Sequence, residues 1–303
     1  MDSFTSDLRA SVPELTAGQI PELCADDQRP SLAQLDALRV LADMKPRDVP
    51  DHPGPPVRLP IEDEASLVAW TTVMDLARHR RQGWTLVGGQ MVHLLAWEHG
   101  EDSPRVTTDA DVVINVRAYP KALAEFTTRL LTAGYHEDGV SPEGMGHRYR
   151  NTAVPETSID VLLPEGLDTR KFRTVTGART IAVPGSVQAL ERSLRRKVNV
   201  NGTEGVIIRP DVHAAMVLKA AAYQDEFGKS AAERHLRDFA VLVSLYARHY
   251  PVAELAERLT KKDRSRIATA LGSLPADNPI WRTVADGVDA RELMRTALKP
   301  GRH

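Results

Sequence analysis

The stretch Leu86–Val116, LVGGQMVHLLAWEHGEDSPRVTTDADVVINV, decides how the rest of the chain is read. An apolar run ends in the pair Gly88–Gly89. QMVHLLAWEHG follows, about three helical turns closed by Gly100, and DVVINV then has the character of a buried strand. Asp109 and Asp111 stand where that strand begins. On a strand they point to one face and Ala110 to the other, so the carboxylates repel each other unless a cation lies between them. The plain alternative is a polar turn, TTDAD, before the strand. The local sequence leaves both readings open.

Two further features weigh on the choice. In TSIDVLLP, Asp160 is a lone acid in an apolar run, with Ile159 and Val161 on the opposite face. A charge there is costly unless it is paired or metal-bound. A salt bridge to Arg148 or Arg150 would account for it. If this strand instead lies beside DADVVINV, three carboxylates converge into the oxygen-rich arrangement that holds Mg²⁺, and two such ions about 4 Å apart activate a hydroxyl and stabilise a leaving pyrophosphate. The second feature is Gly88–Gly89 between strand and helix, where backbone N–H groups and the positive helix end receive a phosphate. Two glycines in a tight turn are the simpler account, and neither a P-loop nor a dinucleotide fingerprint is present.

The 303 residues are 42% apolar, enough for a real core, and 39 basic against 41 acidic side chains give a net charge of -2. No global positive field advertises nucleic acid. The single Cys24 excludes an internal disulfide framework and a cysteine-based zinc site; the acidic start MDSFTSDLRA is unlike a signal peptide, and no run approaches a membrane span. The expectation is a cytoplasmic protein with no membrane contact. Periodicity divides the chain into an N-terminal arm, 1–60, with one helix at Ser31–Met44; a mixed α/β domain, 61–185; and a mainly helical C-terminal region, 186–303, that includes VQALERSLRRK, HAAMVLKAAAYQDE and SAAERHLRDFAVLVSLYARHY.

LVGGQ, TTDADVVINV and SIDVLLP together resemble the polymerase-beta-type nucleotidyltransferase superfamily. RVTTDAD is similar to the nucleotidyltransferase toxins of abortive-infection and toxin-antitoxin systems, in which an arginine and a threonine precede the D-x-D. The similarity extends from about Trp84 to Leu245 and continues in VLKAAAY and ERHLRDFAVLVSL. It implies an α/β nucleotidyltransferase-like mixed sheet with flanking helices. It also implies two Mg²⁺ ions on Asp109, Asp111 and Asp160, and an NTP substrate, ATP among the candidates. Gly88, Gly89, Gln90, Arg105 and Thr107 would then contact the nucleotide, Lys219 its β- and γ-phosphates, and Arg234 or Arg237 a phosphate, with Asp238 orienting Lys219. Gln90 stands where the family carries serine or threonine.

Without the resemblance, Lys219 reads as a lysine snorkelling at the core margin, and its replacement by methionine is expected to cost little stability. RHRRQ at 78–82, RSLRRK at 192–197 and KKDRSR at 261–266 read as solvated faces, with RSLRRK placed to meet an extended RNA acceptor. The reading is a Mg²⁺-dependent transfer of NMP from NTP to an acceptor hydroxyl. The resemblance makes the tRNA 3′ end one acceptor and a cognate antitoxin one partner. A small hydroxylated molecule or a protein side chain is the enzymatic alternative, with an anionic cleft wall favouring a cationic acceptor. A degenerate partner-binding module is the non-enzymatic alternative.

Overall fold

The computed structural model describes residues 48–102, 107–226 and 228–299. The helix expected at Ser31–Met44 and the candidate contact Arg105 lie outside the described residues. All described residues but Arg117–Tyr119 fall in one compact unit, Asp48–Val116 and Pro120 onward.

A mixed sheet runs in the order β2(Trp84–Val87), β3(Asp109–Ile114), β6(Ser158–Pro164), β5(Arg148–Asn151), β4(Tyr135–Glu137), with β7(Ala182–Val183) beside β6. β3 and β6 are parallel; β2–β3, β5–β6 and β4–β5 are antiparallel. Every residue of β6 is buried, which is why its sequence is a continuous apolar run rather than an alternation. A smaller sheet joins β1(Val57–Leu59), β8(Ser193–Val200) and β9(Thr203–Pro210) in that order.

The helices follow from caps and apolar faces. Asp63 caps α1(Glu64–His79) by accepting the Ser66 N–H at 2.7 Å, and the helix buries Ala69, Trp70, Val73, Met74, Leu76 and Ala77. α2(Gly88–Glu98) begins at the end of β2, and α3(Ala122–Thr132) follows β3. α4(Ser186–Glu191) is short. α5(Val212–Asp225) starts on Asp211, which accepts the Ala214 N–H at 2.8 Å, and everything from Val212 to Ala221 is buried, so this helix is central to the core. α6(Lys229–His249) packs along α5 and buries Phe239–Tyr246. α7(Leu255–Arg258), α8(Lys261–Ser273) and α9(Gly287–Ala297) complete the described chain. No helix among the described residues is long and apolar enough to cross a membrane.

Two sequence expectations are corrected. SLRRK is not the second half of a helix: α4 stops at Glu191, and Ser193–Val200 form β8. β8 returns through Asn201 and Gly202, both at positive φ, into β9, and the Asn-Gly pair is the sequence signal of such a hairpin. Val57–Leu59, within the stretch read as arm, pair in parallel with Val198–Val200.

The smaller sheet is tied to α2 by a buried ionic node. Arg209 on β9 donates through Nε to Glu98 Oε1 at 2.8 Å and through a terminal nitrogen to Oε2, while Arg196 Nε lies 3.6 Å from the same carboxylate. The side chains of Glu98 and Arg209 are 3% and 2% exposed. Removing the shared carboxylate strands two guanidinium groups. Glu98→Ala is expected to lose about 3–5 kcal/mol of stability in urea unfolding. Arg237→Ala, which deletes an exposed pair with Glu233, is expected to change stability by less than about 1 kcal/mol.

Candidate functional site

A single row across the large sheet builds the site. Val87 on β2 is opposite Asp111 on β3, Asp111 is opposite Asp160 on β6, and Asp160 is opposite Arg148 on β5. Directly opposed residues share a face, so Asp111, Asp160 and Arg148 stand side by side. Asp109, two residues before Asp111, shares that face, and Ser158 Oγ donates to Asp109 Oδ1 at 2.8 Å. The turn reading of TTDAD is therefore corrected: both aspartates belong to the strand.

Gly88 sets the other wall. It adopts φ +68°, and a Cβ there would lie 1.7 Å from Asp111 Oδ2 and 2.6 Å from its Cγ. The first residue of α2 must be glycine because the carboxylate occupies the space of a side chain. The result is a helix N-terminus pressed against an acid at the edge of a cavity of about 330 Å³, lined by Gly88, Asp111, Asp160, Lys219, Asp225, Glu226 and His235 and by an apolar wall that includes Leu162, Ile181 and Leu218.

The charges in this cavity are strongly perturbed. Burial, and then the Asp160 charge, push the Asp111 carboxyl up to about 7; Asp109 adds to the rise, while Lys219 and Arg148 oppose it. Arg148 grips Asp160 with both prongs, Nε to Oδ1 at 2.8 Å and Nη2 to Oδ2 at 2.8 Å, and its own pKa is raised by that bond. Arg150 instead holds Asp138. Lys219 Nζ lies 2.7 Å from Asp238 Oδ2, with both side chains 3% exposed. Lys219 is thus not a snorkelling residue: it lines the cavity at one end of a buried ion pair. Burial, and next the Lys219 charge, lower His235 to about 4, so it is neutral at pH 7.

The remaining sequence candidates are dispersed. Gln90 is fully buried in the first turn of α2, and neither atom of its amide has a hydrogen-bond partner among the described residues. Thr107 Oγ1 donates to the Asp109 carbonyl at 3.4 Å. Arg234 and Arg237 are exposed and line no part of this cavity, Arg237 pairing with Glu233 at 2.7 Å. The residues that sequence reasoning missed are Asp225, Glu226 and His235, which carried no local signal beyond polarity near the end of one helix and the start of the next.

Asp109 and Asp111, on one face of β3, are the carboxylates that could hold a divalent cation by their oxygen chemistry. Both oxygens of Asp160 are taken by Arg148, and among the described residues no group of three or more His, Cys, Asp or Glu is arranged to hold a metal ion. No protein-family model matches this chain, and no curated protein matches it. Among solved structures, the chain is similar to an antigenic nucleotidyltransferase-like protein from Paracoccidioides brasiliensis, with 17% identity and a TM-score of 0.47, over 76% of this chain and 94% of that one.

Two outcomes are expected. Because the folded state raises the Asp111 pKa to about 7 above an unfolded value near 4, ionisation penalises the fold as pH climbs through that interval. Asp111→Asn should then match the wild type below about pH 4 and exceed it by about 1–3 kcal/mol above pH 7 without divalent cations, measured by urea unfolding across pH. Lys219→Met removes the cation that compensates a buried Asp238. It should lose about 3–5 kcal/mol, contrary to the small loss expected from sequence, and Lys219→Met with Asp238→Asn should recover most of it in the same measurement.

Proposed function

We propose that this protein is a metal-dependent nucleotidyltransferase that moves an NMP group from an NTP to an acceptor hydroxyl. One observation carries the reading: Gly88 at the start of α2 is packed directly against Asp111, so a phosphate-receptive helix N-terminus and the Asp111 carboxylate face one cavity. Tight turns alone do not require that juxtaposition, and a carboxylate raised to about 7 is a poor structural element but a good cation ligand.

In this reading Asp109 and Asp111 hold Mg²⁺, and the main-chain N–H groups of Gly88 and Gly89 receive phosphate oxygens at the N-terminus of an eleven-residue helix. Lys219, fixed by Asp238, presents a point charge to the β- and γ-phosphates. The bound cation would supply a lowered pKa for the acceptor hydroxyl and neutralisation of the departing pyrophosphate. The apolar wall of Leu162, Ile181 and Leu218 keeps water from the reacting phosphorus.

The charge of the cavity favours a small cationic acceptor bearing a hydroxyl. Asp111, Asp225 and Glu226 face it beside an Asp160 paired to Arg148, against Lys219, whose charge Asp238 offsets, and a neutral His235. The basic path expected at RSLRRK is spent internally: Arg192 pairs with Asp211 at 2.6 Å, Arg195 with Asp51 at 3.5 Å, and Arg196 with Glu98. A second reading, a toxin that modifies the tRNA 3′ end and is restrained by an antitoxin, rests on the similarity of RVTTDAD and VLKAAAY to that family.

The test incubates the protein and its Asp111→Asn variant with each labelled NTP and Mg²⁺, adding either total tRNA or a panel of hydroxylated amines. Label should move to a hydroxylated amine and depend on Asp111. Labelled tRNA would establish the second reading instead, and no Asp111-dependent pyrophosphate release with any acceptor would sink nucleotidyl transfer altogether.

A further inference from the structure

Arg148 has no place in the chemistry derived above, yet it is the group most intimately engaged with the third aspartate. It lies opposite Asp160 across the β5–β6 ladder and chelates it with two 2.8 Å hydrogen bonds in the fork geometry that carboxylates bind best. Its side chain is 41% exposed while that of Asp160 is 10% exposed, so the guanidinium reaches in from the solvent side over a carboxylate that is otherwise enclosed. Both carboxylate oxygens accept from this one guanidinium. A cation approaching from the cavity meets Asp111 beside an Asp160 whose charge is already paired.

We propose that Arg148 is a resident cation that competes with the divalent ion for Asp160 and thereby sets the metal affinity of the site. This rests on the nucleotidyltransferase reading, which supplies the ion. An ion held by Asp109 and Asp111 alone has two carboxylates; recruiting the third brings it against a guanidinium already paired to both oxygens of that acid. Three carboxylates standing together without a cation would repel one another, and the Lys219 charge, shared with Asp238, relieves only part of that repulsion. Arg148 thus keeps the metal-free site folded and makes metal binding an exchange of cations. The arginine is a positioning residue: it acts through Asp160 and is exposed enough to swing away without opening the core.

The balance predicts opposite changes in two measurable quantities. Arg148→Met keeps the aliphatic stem and removes the competitor. In the absence of divalent ions it should be less stable than the wild type, and it should bind Mn²⁺ at least about tenfold more tightly, counted by electron paramagnetic resonance of free Mn²⁺ and checked by calorimetry. Saturating Mn²⁺ should bring its melting temperature back toward that of the wild type. Arg148→Lys, which retains charge without the fork, keeps the protein folded and should fall between the two in affinity. Asp111→Asn supplies the background for each. Wild-type binding above that background, with equal or weaker binding in both Arg148 variants, would overturn the competition while leaving the catalytic reading intact. Absence of binding above background in the wild type and in both variants would overturn the two together.

Discussion

Asp111 is squeezed between a glycine that leaves it no spare room and a second carboxylate on the adjoining strand, and much of the molecule's organisation serves to tolerate that placement. β2 must end beside it so that α2 can start on Gly88, and β6 must run parallel to β3 so that Asp160 stands opposite. β5 must then pair on the far side of β6 to bring Arg148 over Asp160. From above, the buried helix α5 contributes Lys219, itself steadied by Asp238 of α6. Three strands and two helices deliver these charges to a place where no single element would be stable carrying its own alone.

Elsewhere the chain spends its arginines on its own carboxylates. Arg209 and Arg196 converge on Glu98 at the end of α2, Arg192 caps the account of Asp211 at the start of α5, and Arg266 reaches Glu165 at 2.7 Å. The Glu98 node and the Gly88 contact sit at opposite ends of the same eleven-residue helix, roughly 15 Å apart at 1.5 Å per residue. One end is locked by ion pairs to the smaller sheet; the other is left as the receptive rim of the cavity. The positive N-terminus is itself drawn toward the carboxylates, and the far end is anchored by a buried charge cluster whose disruption is expensive.

Arg148 and Lys219 illustrate how differently buried and exposed members of a pair behave. Lys219 is enclosed with its partner, so at that depth each compensates a charge that water does not reach. Arg148 meets an enclosed acid from a half-open position, so its charge can be exchanged for another at modest cost. The first arrangement stores stability; the second leaves an acid available to a competitor.

Much of the site was legible along the chain, because its elements announce themselves through local physics. The alternation of Asp109 and Asp111 before an apolar run, a lone Asp160 in a second such run, and a glycine pair between strand and helix are patterns with period and chemistry attached. The sequence by itself determined a mixed α/β fold with acids at or just before apolar strands and a helix beginning on a glycine pair; the structure decided that Asp109 and Asp111 belong to the strand and not to a turn before it. It left Asp160 with either a metal or an arginine, and only the order β3-β6-β5 decided that Arg148 rather than Arg150 lies opposite it. Likewise SLRRK reads as helix by local propensity, and its strand conformation was decided by pairing with β1 and β9, a nonlocal gain that outweighs propensity. Asp225, Glu226 and His235 became cavity residues only when α5 and α6 folded over the sheet. Which charges neutralise which depends on distances between elements far apart in the chain, and those distances exist only once the elements are packed.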